Sequence, residues 1–261
     1  MDKETISVNR QQLFAALPDL PRWVETRGMI VDPAYRIVTG ERWQDGFIVV
    51  DREPEGLASI VGPASAELIE SATREAEEVL VFEENLESAR RALADWFVEQ
   101  VAVHRLAPGV ELPPPDHPGR RLNPGEVGRM RHLPAQLAHE LADAEASGAQ
   151  IIAVHADDLA VAFCYPSFTS ETMWDTSIDT LEPYRRRGLA RSAFLHLAHL
   201  MRKEHRLEPV WCSAQSNPVS ALLARSIGFE QVDSFWIATR YDPAGEFPAP
   251  TPRHRGPLDV P

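Results

Sequence analysis

WDTSIDTLEPYRRRGLA, residues 174–190, reads as a strand, a tight basic turn and the start of a helix. Trp174, Thr176, Ile178 and Thr180 alternate with Asp175, Ser177 and Asp179, the period-2 signature of a strand with two chemically different faces. Glu182 and Pro183 end that strand. Arg185, Arg186, Arg187 and Gly188 follow, and Leu189, Ala193, Leu197, Leu200 and Met201 then recur at helical spacings. Gly188 therefore stands where a helix begins. The first turn of a helix carries N–H groups without intrahelical partners at the positive end of its dipole, so an anion can dock there. Three arginines beside a residue with no side chain suit a pyrophosphate.

The run Arg185 to Ala190, Arg-Arg-Arg-Gly-Leu-Ala, resembles the acyl-CoA-binding signature Gln/Arg-x-x-Gly-x-Gly/Ala of the GCN5-related N-acetyltransferase (GNAT) superfamily. A second block, NPVSALLARSIGF from Asn217 to Phe229, resembles that family's later motif, in which an Asn opens a helix after the fifth strand and Gly-Phe closes it. The resemblance covers about residues 120–241 and leaves out the first hundred residues and the tail. An extra N-terminal α/β domain is also similar to that of acetyltransferases of the zwittermicin-resistance type.

The chain as a whole sets bounds. With 261 residues and 44% hydrophobic content it holds one large domain or two small ones around a proper core. No apolar run approaches the ~20 residues of a membrane span, and MDKETISVNR lacks the apolar centre of a signal peptide, so a cytoplasmic location is expected. Cys164 and Cys212 lie inside apolar strand-like runs and read as reduced core residues. No Cys/His spacing matches a zinc site, and no metal is expected. A net charge of −13 disfavours nucleic acid and anionic membranes and favours a cationic partner. A homodimer is left open.

Taken in order, residues 1–106 read as an α/β domain. Asn9 caps a short helix through Leu17, and Leu20 to Trp23 enter a second. Gly46 to Asp51 and Leu57 to Gly62 are two neighbouring strands, Pro63 opens a helix over Ala64 to Ala76, and Val79 to Phe82 is a third strand. Asn85 then caps a long helix whose apolar positions Leu86, Ala89, Leu93, Trp96, Phe97, Val101 and Leu106 keep helical spacing. This half shows neither a phosphate loop nor a catalytic constellation. Residues 107–119, APGVELPPPDHPG, form a proline-rich linker and domain boundary.

Beyond it, residues 120–241 give a short strand at Arg121 and Leu122, a helical stretch from Gly125 to Ala146 interrupted at Pro134, and a hairpin of Ala149 to His155 with Leu159 to Tyr165. The Trp174 strand, the Leu189 helix, a strand Val210 to Ser213, the Asn217 helix and a strand Ser234 to Ala238 follow. The order is β-α-β-β-β-α-β-α-β, the order that the resemblance implies. The expected fold is α/β (α+β): a C-terminal, mostly antiparallel mixed sheet flanked by helices, with a smaller N-terminal α/β domain. Residues 242–261 are a proline-rich tail too poor in apolar residues to fold alone. No internal repeat is apparent.

The resemblance implies direct transfer of an acetyl group from acetyl-CoA, the acyl-donor co-substrate, to the primary amine of a small molecule. It implies a pyrophosphate held by Arg185, Arg186, Arg187, Gly188, Leu189, Ala190 and Arg191, with Asn217 contributing from the second motif. It also implies a thioester carbonyl polarised by a backbone N–H of Ile178, Asp179 or Thr180. The acceptor ammonium must lose a proton before it can attack. Asp175 and Glu171, near the start of the strand, are the candidate bases, and Asp179 lies nearer the cofactor end. The alternative for these acids is strand-end solvation or pairing with the arginines. The family often has a Tyr seven residues after the Asn to protonate the departing thiolate. Here that position is Ala224, which leaves Ser220, Ser226, water or an unassisted thiolate. It also leaves open a non-catalytic acyl-CoA-binding or interaction module.

Overall fold

The computed structural model describes residues 9–107 and 109–240. Residues 1–8 and the proline-rich tail from 242 onward therefore lie outside the described residues, as does the last residue of the 120–241 segment. The chain divides into two compact units. One comprises the described residues of Met1–Val103, Ser213–Pro218 and Val232–Ala249; the other comprises those of His104–Cys212 and Val219–Gln231.

In the first unit α1 (Arg10–Ala16) starts at Asn9, whose side chain accepts the Gln11 N–H, and α2 (Val24–Val31) follows a single tight turn at Pro21–Trp23. Strands β1 (Tyr35–Thr39), β2 (Phe47–Asp51) and β3 (Leu57–Val61) form an antiparallel meander. After α3 (Ala66–Ala72), strand β4 (Glu78–Val81) returns parallel to β3. Helix α4 (Leu86–Ala92) then leads into β5 (Trp96–Leu106).

Two expectations fail here. The long helix from Asn85 to Leu106 stops at Ala92, and Trp96–Leu106 is a strand. Trp96, Phe97, Val98, Val101 and Val103 are aromatic or β-branched, and such side chains lose rotamer freedom in a helix but fit a pleated surface. Asn85 holds the N-cap position of α4, but its side chain bonds elsewhere: its Oδ1 accepts the Phe82 N–H at 2.9 Å and its Nδ2 donates to the Ile60 carbonyl at 3.1 Å. Strand β1 had no counterpart in the sequence reading.

The second unit begins with β6 (Gly119–Arg121) and α5 (Ala135–Ala146), then β7 (Ile152–Ala156) and β8 (Leu159–Thr169). Asp157 and Asp158 both have positive φ, 51° and 63°, the backbone of the two-residue hairpin turn whose twist matches its strands. Strand β9 (Met173–Thr180), helix α6 (Leu189–Leu200), strand β10 (Glu208–Ala214), helix α7 (Pro218–Ile227) and the start of strand β11 (Phe229–Arg240) complete the order; from Val232 on, β11 belongs to the first unit, where it pairs antiparallel with β4. Strands β6 to β9 are antiparallel neighbours, and β10 pairs parallel to β9. Among the described residues no helix is long and apolar enough to cross a membrane.

The proline-rich segment belongs to this unit rather than separating domains. The His117 N–H donates to Ser192 Oγ, His196 Nε2 meets the His117 carbonyl at 2.9 Å, His199 Nε2 meets the Pro113 carbonyl, and Arg191 pairs with Asp116 at 2.8 Å. Four partners along one helix lay the segment against α6.

The element order repeats between units although no sequence repeat announces it. Each unit has an antiparallel meander (β1–β2–β3; β7–β8–β9), a helix (α3; α6), a strand parallel to the third (β4; β10) and a second helix (α4; α7), and the strands that follow in chain order, β5 and β11, each divide their residues between the two units.

Candidate active site

Strand β9 is paired with β8 from Trp174 to Thr180, across one bulge, but is paired along only part of its other edge. The antiparallel register with β8 runs from Trp174 opposite Thr169 to Thr180 opposite Ala162. The parallel register with β10 covers Met173, Trp174 and Asp175 opposite Glu208, Pro209 and Val210, and then stops. From Thr176 onward β9 leaves β10, so its backbone groups on that edge are open to an extended ligand. This is the same chemistry by which a peptide-like chain adds to a strand edge.

The alternation predicted for β9 sets two environments. On the α6 face Trp174 stacks on Phe194 with ring centroids 6.0 Å apart, and Phe194 also meets Trp211 at 5.4 Å and Phe229 at 5.5 Å. Ile178 packs against this cluster. On the opposite face lie Asp175, Ser177 and Asp179, and on that side of the sheet Leu137, Leu141 and Ala144 of α5 pack in one cluster with Phe163 and Tyr165 of β8. Asp175 is 7% exposed, and Ser167 Oγ donates to its Oδ2 at 2.6 Å. The β8–β9 register shifts between Pro166 and Thr169, so β8 bulges opposite Asp175 and delivers Ser167 to it.

Glu140, which the sequence reading passed over, is 5% exposed. Its carboxyl is pushed up to about 8, first by burial and then by the charge of Asp179. Asp179 is itself raised by burial, with Arg185 pulling it back. Burial, Asp179 and Glu140 in turn raise the Tyr165 phenol. The signal was available: Leu137, Glu140, Leu141 and Ala144 are an i, i+3, i+4, i+7 stripe, so one acid sits on the buried face of an otherwise apolar helix.

The basic turn has the predicted form. Gly188 is the N-cap of α6 with φ 77°, ψ 1°, a left-handed conformation costly for other residues, and it brings no capping side chain to the first-turn N–H groups. Arg186 is also left-handed, at φ 62°. Arg185, Arg186 and Arg187 are exposed; Arg185 Nε donates to the Thr180 carbonyl at 3.2 Å, and the Arg187 guanidinium lies 5.4 Å from the Tyr184 ring centre. Leu189 is buried under the helix, Ala190 is half-buried, and Arg191 is engaged by Asp116. The open half of β9, with Ile178, Asp179 and Thr180, thus runs straight into this turn.

Three predicted positions stand apart. Glu171 is exposed in the bend between β8 and β9, at the end of the strand away from the basic turn. Asn217 is exposed in the turn before α7, its N–H donating to the Ala214 carbonyl at 2.9 Å. Ala224 is 0% exposed within the aromatic core, while Ser226 Oγ donates to the Leu223 carbonyl and Ser220 Oγ accepts the Trp211 indole N–H at 2.9 Å. Neither Cys164 nor Cys212 is in a disulfide, and burial raises Cys164 well above its ordinary range, which keeps it an inert thiol.

Residues 140–237 match the family model of the GNAT acetyltransferase. No curated protein matches the chain. Among solved structures, a GCN5-related N-acetyltransferase-like protein from Streptococcus suis superposes with TM-score 0.64 at 12% identity, over 88% of this chain and 96% of that one. A GNAT-family structure from Novosphingobium aromaticivorans gives TM-score 0.57 at 18% identity, over 86% and 98%. A tandem GNAT protein from the clavulanic acid biosynthesis pathway gives 0.51 at 17%, over 84% and 88%. At these identities the structural likeness is one of fold.

Proposed function

We propose that this chain, which belongs to the GNAT superfamily through the domain that matches at residues 140–237, transfers an acetyl group from acetyl-CoA to the primary amine of a small cationic molecule by direct attack. The observation that carries the proposal is the parting of β9 from β10 after Asp175, with the open strand leading to a glycine-capped helix start beside three arginines.

In this reading the pyrophosphate sits on the first turn of α6, where unpaired N–H groups, the helix dipole, and Arg185, Arg186 and Arg187 meet it. The pantetheine arm lies along the open edge of β9, and a backbone N–H near Ile178 polarises the thioester carbonyl. Asp175 takes a proton from the acceptor ammonium, directly or through one water, and the freed amine nitrogen attacks the carbonyl carbon. The C–S bond then breaks, its electron pair leaving on sulfur, and the second proton of the former amine nitrogen passes to that thiolate, directly or through water, to give the neutral amide and the free thiol. The Ser167 hydrogen bond fixes the Asp175 carboxylate for that step. Glu140 and Asp179 add negative charge on the same side of the sheet, which suits a cationic acceptor once Glu140 ionises.

A second reading rests on Ala224. With no hydroxyl at that buried position, the chain could bind acyl-CoA without turning it over. Calorimetry with acetyl-CoA tests the site that both readings share. A panel of small amines assayed for released thiol then separates them: turnover with any amine supports the transferase, and tight binding with no turnover across the panel supports the binding module.

A further inference from the structure

Three side-chain donors on the α6 side of β9, Trp174 Nε1, Thr176 Oγ1 and Thr180 Oγ1, have no hydrogen-bond partner among the described residues. Thr176 is the informative one. It is only 9% exposed, so its hydroxyl is withdrawn from water, and a valine of the same shape would remove the penalty of burying an unsatisfied polar group. Its place is also specific. Asp175 is the last residue of β9 that pairs with β10, so Thr176 is the first at which that edge opens. Four residues separate it from Thr180 at the mouth of the basic turn, about 13 Å at the rise of a strand.

The other unit supplies a comparison at the matching position. Its parallel pair aligns Leu57, Ala58 and Ser59 with Glu78, Val79 and Leu80, just as Met173, Trp174 and Asp175 align with Glu208, Pro209 and Val210. Ser59 is then the counterpart of Asp175 and Ile60 that of Thr176. Ser59 Oγ is satisfied by Thr26 Oγ1 at 2.8 Å, and Ile60 is a fully buried hydrocarbon. Thus the unit without an arginine turn places an apolar side chain at this position, and the unit with one keeps a hydroxyl with no partner.

We propose that the Thr176 hydroxyl donates to the thioester carbonyl oxygen of acetyl-CoA, as a side-chain donor beside the backbone N–H of β9. The inference rests on the acetyl-CoA reading above. Asp175 and Thr176 are consecutive and point to opposite faces of the strand, so the proton acceptor and the donor to the developing oxyanion flank the carbonyl carbon from two sides. As the amine nitrogen adds, charge grows on the oxygen that Thr176 meets, and the bond strengthens in the transition state.

The test uses the full chain with acetyl-CoA labelled with carbon-13 at the carbonyl, and the variants Thr176→Val and Thr176→Ser. Infrared difference spectra of the bound donor read the carbonyl directly and need no acceptor. Binding to wild type should shift the stretch to lower frequency, Thr176→Val should move it back toward the value in water-free solvent, and Thr176→Ser should restore the shift. With an accepted amine, Thr176→Val should lower kcat by about 10²-fold while KM for acetyl-CoA and the affinity for free CoA, which has no acyl carbonyl, stay unchanged. Thr176→Val should also melt at a higher temperature, because the buried hydroxyl is gone. A Thr176→Val protein with wild-type carbonyl frequency and kcat overturns this inference alone. Failure of the wild-type chain to bind acetyl-CoA at all overturns it together with the reading beneath it.

Discussion

The two units share an order of elements and the senses of their strand pairings, yet they treat the junction between third strand and helix in opposite ways. In the first, β3 is buried throughout and reaches α3 across Gly62, Pro63 and Ala64. Ser65 Oγ accepts the Leu68 N–H at 3.2 Å, and Glu67 lies in the first turn, so the helix start is already satisfied and carries a negative charge. In the second, β9 is half-exposed beyond Thr176, eight residues from Leu181 to Gly188 make the crossing, and the helix starts on a glycine beside three arginines. One junction closes its own hydrogen bonds; the other leaves them for an anion. The fold alone therefore assigns nothing, and the chemistry is decided by roughly ten residues at one turn.

The contrast breaks most sharply at the proton acceptor. Asp175→Asn keeps the Ser167 contact and the size of the side chain but removes the base. Turnover should fall by about 10²–10⁴-fold while acetyl-CoA affinity stays within experimental error, and Ser59→Ala, its register counterpart, should leave turnover untouched. Glu171→Gln serves as the comparison, since Glu171 lies outside the strand. Full turnover and an unchanged pH–rate profile in Asp175→Asn would remove Asp175 from the mechanism. Next comes the helix start. Gly188→Glu places a carboxylate and a Cβ where φ is 77°, and acetyl-CoA affinity should drop at least about 10²-fold. Gly188→Ala separates backbone strain from charge. In the other unit Ser65→Ala should cost about 1 kcal/mol of stability and nothing in acetyl-CoA binding. Equal affinity losses in Gly188→Glu and Ser65→Ala would erase the distinction between the two junctions.

What could be read from the sequence follows how local each signal is. The strand-turn-helix at 174–190 is a contiguous pattern of two periods joined by a basic turn, and it stands as read. The hairpin at Asp157 and Asp158, and the order of the second unit, are equally local. Trp96–Leu106 misled because its apolar residues continue the spacing of Leu86, Ala89 and Leu93, so only the β-branched and aromatic content distinguished a strand from a longer helix. The similar order of elements in the two units was invisible because element order and pairing sense are set by topology, which leaves the residues free to differ. The proline-rich segment read as a linker from composition, but its attachment to α6 depends on Ser192, His196 and His199 some 75 to 86 residues away. Glu140 was legible as the one acid on the buried stripe of α5, but the like charge of Asp179 that raises it further comes from a strand far along the chain.

A smaller effect tests the arginines. Charge-assisted contacts to phosphate are worth about 1.5–3 kcal/mol, so Arg187→Ala should weaken acetyl-CoA about tenfold or more and leave a pantetheine donor without the pyrophosphate unaffected. Loss of both to the same degree would show that Arg187 acts by holding the turn, through its contact with Tyr184, and not by binding phosphate.

The smallest effect concerns Glu140 and reads the acid pair through stability. Its folded pKa of about 8 stands above the ordinary carboxyl value of 4.5, so between those limits the folded chain holds a proton there that the unfolded chain has released. Stability must then be fully present below about pH 4.5 and decline as pH rises through about 8, because the folded state binds the additional proton. Gln cannot ionise, keeps the shape, and removes the like-charge encounter with Asp179. Glu140→Gln should flatten that decline and be more stable than wild type by about 1–2 kcal/mol near pH 9, with little difference near pH 4. Denaturant midpoints measured across this range give the answer. Parallel curves for the two proteins would mean that Glu140 is ionised throughout, and that the buried face of α5 places a permanent negative charge beside Asp179.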